Sequence, residues 1–289
     1  MEKIRIVTDS VADLPVEIAK ELGIVVVPAN VTFGLQSYKD GTEMTKEEFY
    51  QRLKQSNIHP TTSATAPGEF ANVYRELAAE ADTIISVHAS KKLSALYNSA
   101  MIAKSIVEKE TDCKIVVVDS CSAAMGIGLP VIMAAKLART KKTSEEIVRA
   151  INGNISHVHL LAIVDTLKYI EKGGRAKMVI QKIGSFLPKS LKLSLTIEEG
   201  EARFTGFVRI HKRQERFMDF IKNFPKVEEI ALEYSPDSEG IAEGIIKETE
   251  RGVKSLFPAV PLYFSVLTPA LGAQVGPGVI AVILREGAM

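Results

Sequence analysis

The stretch Ile4-Arg5-Ile6-Val7-Thr8-Asp9-Ser10, followed shortly by Asp13-Leu14-Pro15, decides the fold class. Ile4, Ile6 and Val7 make a short β-branched run of strand character that ends on polar residues. Asp13-Leu14-Pro15 then opens a helical pattern through Ile18, Ala19 and Leu22, which Gly23 stops. Residues 24–27 form a second run, uniformly apolar and therefore expected to be buried on both faces. Val31-Thr32-Phe33 is expected to extend the edge of the same sheet before a polar loop at Asp40-Gly41.

The alternation continues outward. Thr45 with Glu48 has the form of a capping box, opening a helix that carries Phe49 and Leu53 on one face. A hydroxyl-dense loop, Thr61-Thr62-Ser63-Ala64-Thr65-Ala66-Pro67, leads to a helix through Phe70, Val73, Tyr74 and Leu77. Strands are expected at 83–87 and 115–118, with helices at 95–108 and 122–139. Such alternation specifies a largely parallel sheet covered by helices, with ligands beyond the carboxyl ends of its strands. Thr143 with Glu146 is a second capping box. Beyond it, strands are expected at 160–164, 191–197, 204–210, 228–234, 260–266 and 279–284, with an amphipathic helix at 241–254. The expectation is two α/β domains divided near residue 150. The first, 1–150, has a largely parallel sheet flanked by helices; the second, 151–289, has a mixed sheet and helices.

Composition narrows the function classes. The 289 residues carry 36 Lys+Arg against 35 Asp+Glu, a formal net charge of +1 that offers no polybasic surface to nucleic acid. Hydrophobic residues are 46%, enough for packed cores and far from a disordered chain. Cys113 and Cys121 lack CxxC spacing and read as reduced space-fillers. No signal peptide and no integral membrane segment is recognisable, so a cytoplasmic location is expected.

Hydroxyl and acidic side chains gather at the expected strand ends: Thr8-Asp9-Ser10, Thr61-Thr62-Ser63, Ser90 with Ser94, and Asp119-Ser120 with Ser122. Singly, each suits a helix cap or turn; together, they suit the donor set of a carboxylate or phosphate site. No GxSxG elbow, Walker A run or complete dinucleotide fingerprint occurs, and no histidine has a spacing that ties it to a serine. His157 and His159 alternate on a strand with no carboxylate or thiol beside them, so no metal site is assigned. Gly126-Ile127-Gly128 sits in an apolar helical stretch and reads as helix packing. After the short helix near Tyr169, Gly173 or Gly174 can supply the left-handed cap. Arg175 emerges from that turn towards a salt bridge with Asp165, a ligand contact or a partner surface. Gly272 to Gly278 reads as a glycine-rich turn. Arg209, His211, Lys212, Arg213 and Arg216 form the one basic cluster, a solvated face or a docking patch for an acidic partner.

These motifs, in this order, resemble the DegV family of bacterial fatty-acid-binding proteins. Thr8-Asp9-Ser10 with Asp13-Leu14-Pro15 matches the opening TDSxxDLP, and Thr62-Ser63 the TS-containing loop. Leu93-Ser94, Tyr97 and Ser99-Ala100 match LSGTYxSA. Asp119-Ser120 and Gly126-Ile127-Gly128 match VDSxxxSxGxG. Leu167, Tyr169 and Lys172-Gly173-Gly174-Arg175 match LxYLxKGGR, and Gly276-Pro277-Gly278 the closing GPG.

The resemblance implies a non-catalytic carrier that buries one long-chain fatty acid between its two domains, with no cofactor. It implies a separate ATP-dependent fatty acid kinase as partner, to which the carboxylate is presented for acyl phosphate formation in phospholipid synthesis. By position, Thr62 and Ser94 hold the carboxylate; Ser63, Gln274 and Arg175 are further head-group or cleft candidates. Physically, a buried acyl chain is worth about 0.8 kcal/mol per CH₂, so affinity lies in the apolar tunnel and the hydroxyls orient the head group. The chain departs from the family pattern at Ala95 and Leu96, at Thr65-Ala66, at Ala124, and at Gln274, where histidine is usual. Gln274 donates a hydrogen bond but carries no positive charge. The alternatives are an enzyme acting on an acyl or phosphoryl substrate and a regulatory interaction module using the Arg209–Arg216 cluster.

Overall fold

The computed structural model describes residues 2–174 and 190–287. The opening stretch forms β1 (Ile4–Asp9) at the heart of a four-stranded sheet ordered β2-β1-β6-β7, with β2 (Val25–Val27), β6 (Thr83–His88) and β7 (Lys114–Asp119). Every pairing is parallel. All six residues of β6 are buried, as a central parallel strand requires. β2 behaves differently from the expectation of burial on both faces. It is an edge strand, paired with β1 alone, and Val26 stays 37% exposed. Apolar composition marked it as a strand without marking its place in the sheet.

Gly23 closes the first helix, Val16–Leu22, with φ +67°, its N–H donating to the carbonyls of Ala19 and Lys20. The apolar helix Met125–Ala138 packs on β1 and the turn after it. A Cβ at Gly128 would meet the Ala12 carbonyl at 2.9 Å, which gives that glycine its packing role.

Val31 to Phe33 do not extend the parallel sheet. They belong to β3 (Asn30–Phe33), the middle of a separate three-stranded sheet, β4-β3-β5. Its outer strands, β4 (Gln36–Lys39) and β5 (Thr61–Ser63), are polar and lay within expected loops.

The second half forms a six-stranded sheet ordered β10-β9-β8-β13-β11-β12. Its strands are β8 (Val158–Val164), β9 (Leu191–Glu198), β10 (Glu201–Arg209), β11 (Val227–Tyr234), β12 (Leu262–Val266) and β13 (Ile280–Glu286). β11 and β12 run parallel, whereas β13 pairs antiparallel with β11 and with β8. Helices Arg213–Lys222 and Ile241–Leu256 cover one face, burying Phe217, Ile221, Ile246 and Val253 against Ile230, Leu232 and Val282. The helix Arg213–Lys222 was hidden in sequence behind the basic cluster. It turns Arg213 inward to 3% exposure and leaves Arg209 exposed, so the cluster is not one continuous patch. Where a glycine-rich turn was expected from Gly272, a helix Pro269–Val275 runs instead, with only Gly276–Gly278 as the turn.

The chain divides into two units, each of several segments. One comprises Met1–Asn30, Ser63–Ser156 and Glu199–Glu201; the other comprises Val31–Thr62, His157–Glu198 and Ala202–Met289. A single cut at 150 would place residues 31–62 with the N-terminal part; here they group with the second unit. Two contacts give the reason: Tyr50 Oη donates to the Leu267 carbonyl at 3.1 Å, and Lys46 Nζ to Ser265 Oγ at 3.1 Å. Among the described residues, no helix is long and apolar enough to cross a membrane.

Candidate functional site

In the first unit, the strand-end residues are largely engaged with their own turns. Asp9 Oδ1 accepts from Val11 N at 3.0 Å, and Ser10 Oγ accepts from Ala29 N at 3.0 Å. Asp119 Oδ1 accepts from Cys121 N at 2.9 Å, and Ser120 Oγ from Ser122 N at 3.1 Å. Ser90 Oγ donates to the Gly200 carbonyl at 2.8 Å. Ser94 precedes the helix Leu96–Val107 and accepts from Leu96 N at 3.3 Å; half-buried, it keeps its hydroxyl proton to donate. Ser63 is exposed.

One constellation here went unseen in the sequence. Tyr74 Oη donates to Ser86 Oγ at 2.8 Å, Ser86 Oγ meets His88 Nε2 at 2.7 Å, and His88 Nδ1 meets Asp9 Oδ2 at 2.9 Å. Ser86 receives the tyrosine proton, so it donates to Nε2, leaving the Nδ1 proton for the carboxylate. Burial pushes the Tyr74 phenol above its ordinary range, Ser86 and Asp9 making smaller contributions. The order serine, histidine, aspartate is that of a nucleophilic triad. Ser86, His88 and Asp9 are nevertheless 0% exposed, so no substrate reaches the hydroxyl. The relay holds β1 to β6 at their carboxyl ends. Its signal was present: Ser86 and His88, two apart, share a strand face, and Asp9 follows the Thr8–Val87 pair in register.

In the second unit, Gln274 from the last turn of Pro269–Val275 donates from Nε2 to Thr62 Oγ1 on β5 at 2.8 Å. Two residues singled out in the sequence thus meet. Since Thr62 Oγ1 accepts that bond, its own proton is free to donate to a ligand. Gly276 has φ +81°, and a Cβ there would collide with the Tyr169 ring, so the closing turn passes Tyr169 as only glycine can. Tyr169 also lies against His59, ring centroids 5.3 Å apart. Burial chiefly, with Lys172 and Lys168 behind it, depresses the His59 imidazole below its ordinary value. Thr62 belongs to the second unit and Ser94 to the first. Gly174 caps the helix Leu167–Gly173 with φ +71°. Arg175, with its expected bridge to Asp165, lies outside the described residues; Asp165 pairs with Lys192 at 2.6 Å.

Among the described residues, no group of three metal-ligating side chains occurs. His159 stacks on Phe224 at 4.2 Å and faces Glu286 at 3.6 Å, a structural placement.

Comparison with known proteins places this architecture. A DegV domain-containing protein of Caldanaerobacter subterraneus subsp. tengcongensis is 33% identical over 291 residues, covering 99% of this chain and all of its own. A solved structure reporting fatty acid binding of a DegV family protein from Thermus thermophilus is 28% identical, with TM-score 0.84 over 99% of this chain and 100% of that one. The structure of DegV, a fatty acid binding protein from Bacillus subtilis, is 25% identical, with TM-score 0.85 over 99% and 100%. The family model described as "Uncharacterised protein, DegV family" matches residues 3–286, and the chain belongs to the DegV family.

Proposed function

We propose that this protein is a carrier that binds one long-chain fatty acid and holds its carboxylate through the hydroxyls of Thr62 and Ser94. The observation that carries the reading is the full-length match to the Thermus thermophilus and Bacillus subtilis relatives, both named for fatty acid binding. The local chemistry agrees with it. Thr62, held by Gln274, and Ser94, capping its helix, each retain one hydroxyl proton to donate, and a carboxylate accepts such donors without an arginine clamp. A head group held by hydroxyls alone stays open to chemistry by another protein. The finer reading follows: the bound carboxylate is presented, in the cytoplasm, to a separate ATP-dependent fatty acid kinase that forms the acyl phosphate.

The test is uptake of palmitate or oleate by delipidated protein, followed by calorimetry and by native mass spectrometry of the purified chain. Micromolar binding, weakened about tenfold in Thr62→Val by the loss of one hydrogen bond to a charged group, is the expected result. Absence of uptake overturns the carrier reading. Turnover of acyl esters or ATP by the isolated protein, abolished in Ser94→Ala, would make it an enzyme instead.

A further inference from the structure

A cavity of about 700 Å³ lies wholly within the second unit, and neither Thr62 nor Gln274 lines it. Its floor holds two cations removed from solvent. Arg213 has a side chain 4% exposed, and Lys192 one 9% exposed. Both face the same carboxylate, Asp165: Lys192 Nζ at 2.6 Å and Arg213 Nη1 at 3.8 Å, too long for a hydrogen bond. Arg213 Nε donates to the Ile210 carbonyl at 3.0 Å. Its two Nη groups have no hydrogen-bond partner among the described residues.

The remaining charges do not satisfy these donors. Asp237 also lines the cavity, but its carboxylate accepts from the backbone N–H groups of Glu239, Ile241 and Ala242 at 2.9 to 3.0 Å. Lys168 and Lys172 stand at the rim with Glu171 and Glu239, all exposed and balanced in sign. Burial depresses the Arg213 guanidinium below its ordinary range, even with Asp165 and Asp237 near it.

We propose that this cavity is a binding site for a phosphate-class oxyanion, seated between Arg213 and Lys192. The donor arithmetic selects the class. A guanidinium carries five N–H donors and Arg213 uses one, so up to four remain at the cavity wall. Lys192, whose Nζ already donates to Asp165 Oδ1 at 2.6 Å and to the Asp165 carbonyl at 3.4 Å, has one more, and the Thr166 hydroxyl joins them. That exceeds the roughly four lone-pair positions of a carboxylate and suits the three or four oxygens of a phosphate, for which the planar arginine fork is the matched partner. The cavity's size leaves room for an organic group beyond the phosphate, against Leu167, Ile210 and Ile241.

Calorimetry of the full chain with inorganic phosphate and with pyrophosphate at low ionic strength tests the site, with phosphorus NMR as an independent readout. Saturable binding by the wild-type chain is expected. Arg213→Lys keeps the charge and loses the fork, and Lys192→Gln removes the second cation. Each is expected to weaken binding at least about tenfold while palmitate affinity is unchanged. Failure of the wild-type chain to bind either anion overturns the proposal, as does equal binding in both variants, which would mean an adventitious ion only. Phosphate binding without palmitate uptake would sink the carrier reading and leave this site standing; the reverse outcome would do the opposite.

Discussion

At the residue scale, the buried Tyr74–Ser86–His88–Asp9 relay is a closed circuit in which every named donor has an acceptor. Removing its centre takes the histidine donor from the Asp9 carboxylate, which keeps only the Val11 and Ala89 N–H groups. It also takes the acceptor from the buried Ser86 hydroxyl and leaves a cavity beside the Phe70 ring. His88→Ala is therefore expected to destabilise the protein by about 3–5 kcal/mol, read as a lower urea midpoint. Tyr74→Phe spares the histidine–carboxylate link and is expected to cost only about 1 kcal/mol. His159 makes a pH prediction. Burial, opposed by Glu286 and reinforced by His157, depresses its folded-state value below the ordinary 6.5. The unfolded chain therefore takes up the proton first as pH falls. Stability is full above pH 6.5 and declines as pH drops through the folded-state value. His159→Phe keeps the stacking on Phe224 and is expected to flatten that decline, measured as urea midpoints between neutral pH and about pH 5. His59, depressed for the same chief reason, contributes a residual slope in the same direction.

At the element scale, both capping boxes foreseen in the sequence are present: Thr45 with Glu48, and Thr143 with Glu146. Their reciprocal bonds depend only on neighbours three residues apart, which is why they were legible. Thr45→Ala is expected to cost about 1 kcal/mol in thermal unfolding, because the N–H of Glu48 loses its acceptor. The elements missed share a different cause. β4 and β5 are short and polar, and extended structure there is set by pairing with β3 rather than by propensity. In Arg213–Lys222, the buried Phe217, Met218 and Ile221 are set among charges, and an arginine points into the protein. In Pro269–Val275, small residues serve a close approach: a Cβ at Gly272 would strike Phe49 and Tyr50. Propensity reads that composition as a turn, while packing makes it a helix.

At the scale of the whole molecule, a carrier is stabilised by its cargo. Saturating palmitate, at a hundredfold excess over Kd, is expected to add about 2.7 kcal/mol, a rise of several degrees in Tm by calorimetry. A flat Tm would contradict the proposed function. The sequence by itself determined the α/β class, the parallel first sheet and the family, because period, caps and motif order are local properties of the chain. It also singled out Thr62 and Gln274, though not their meeting across 212 positions of chain. Tertiary structure alone decided that residues 31–62 group with the second unit. It alone ordered the strands, closed the Ser86–His88–Asp9 relay, and turned Arg213 from a surface cluster into a buried donor facing Asp165. Each depends on the pairing of distant segments, and such pairing is settled by which faces are buried together, a quantity that no local window of sequence contains.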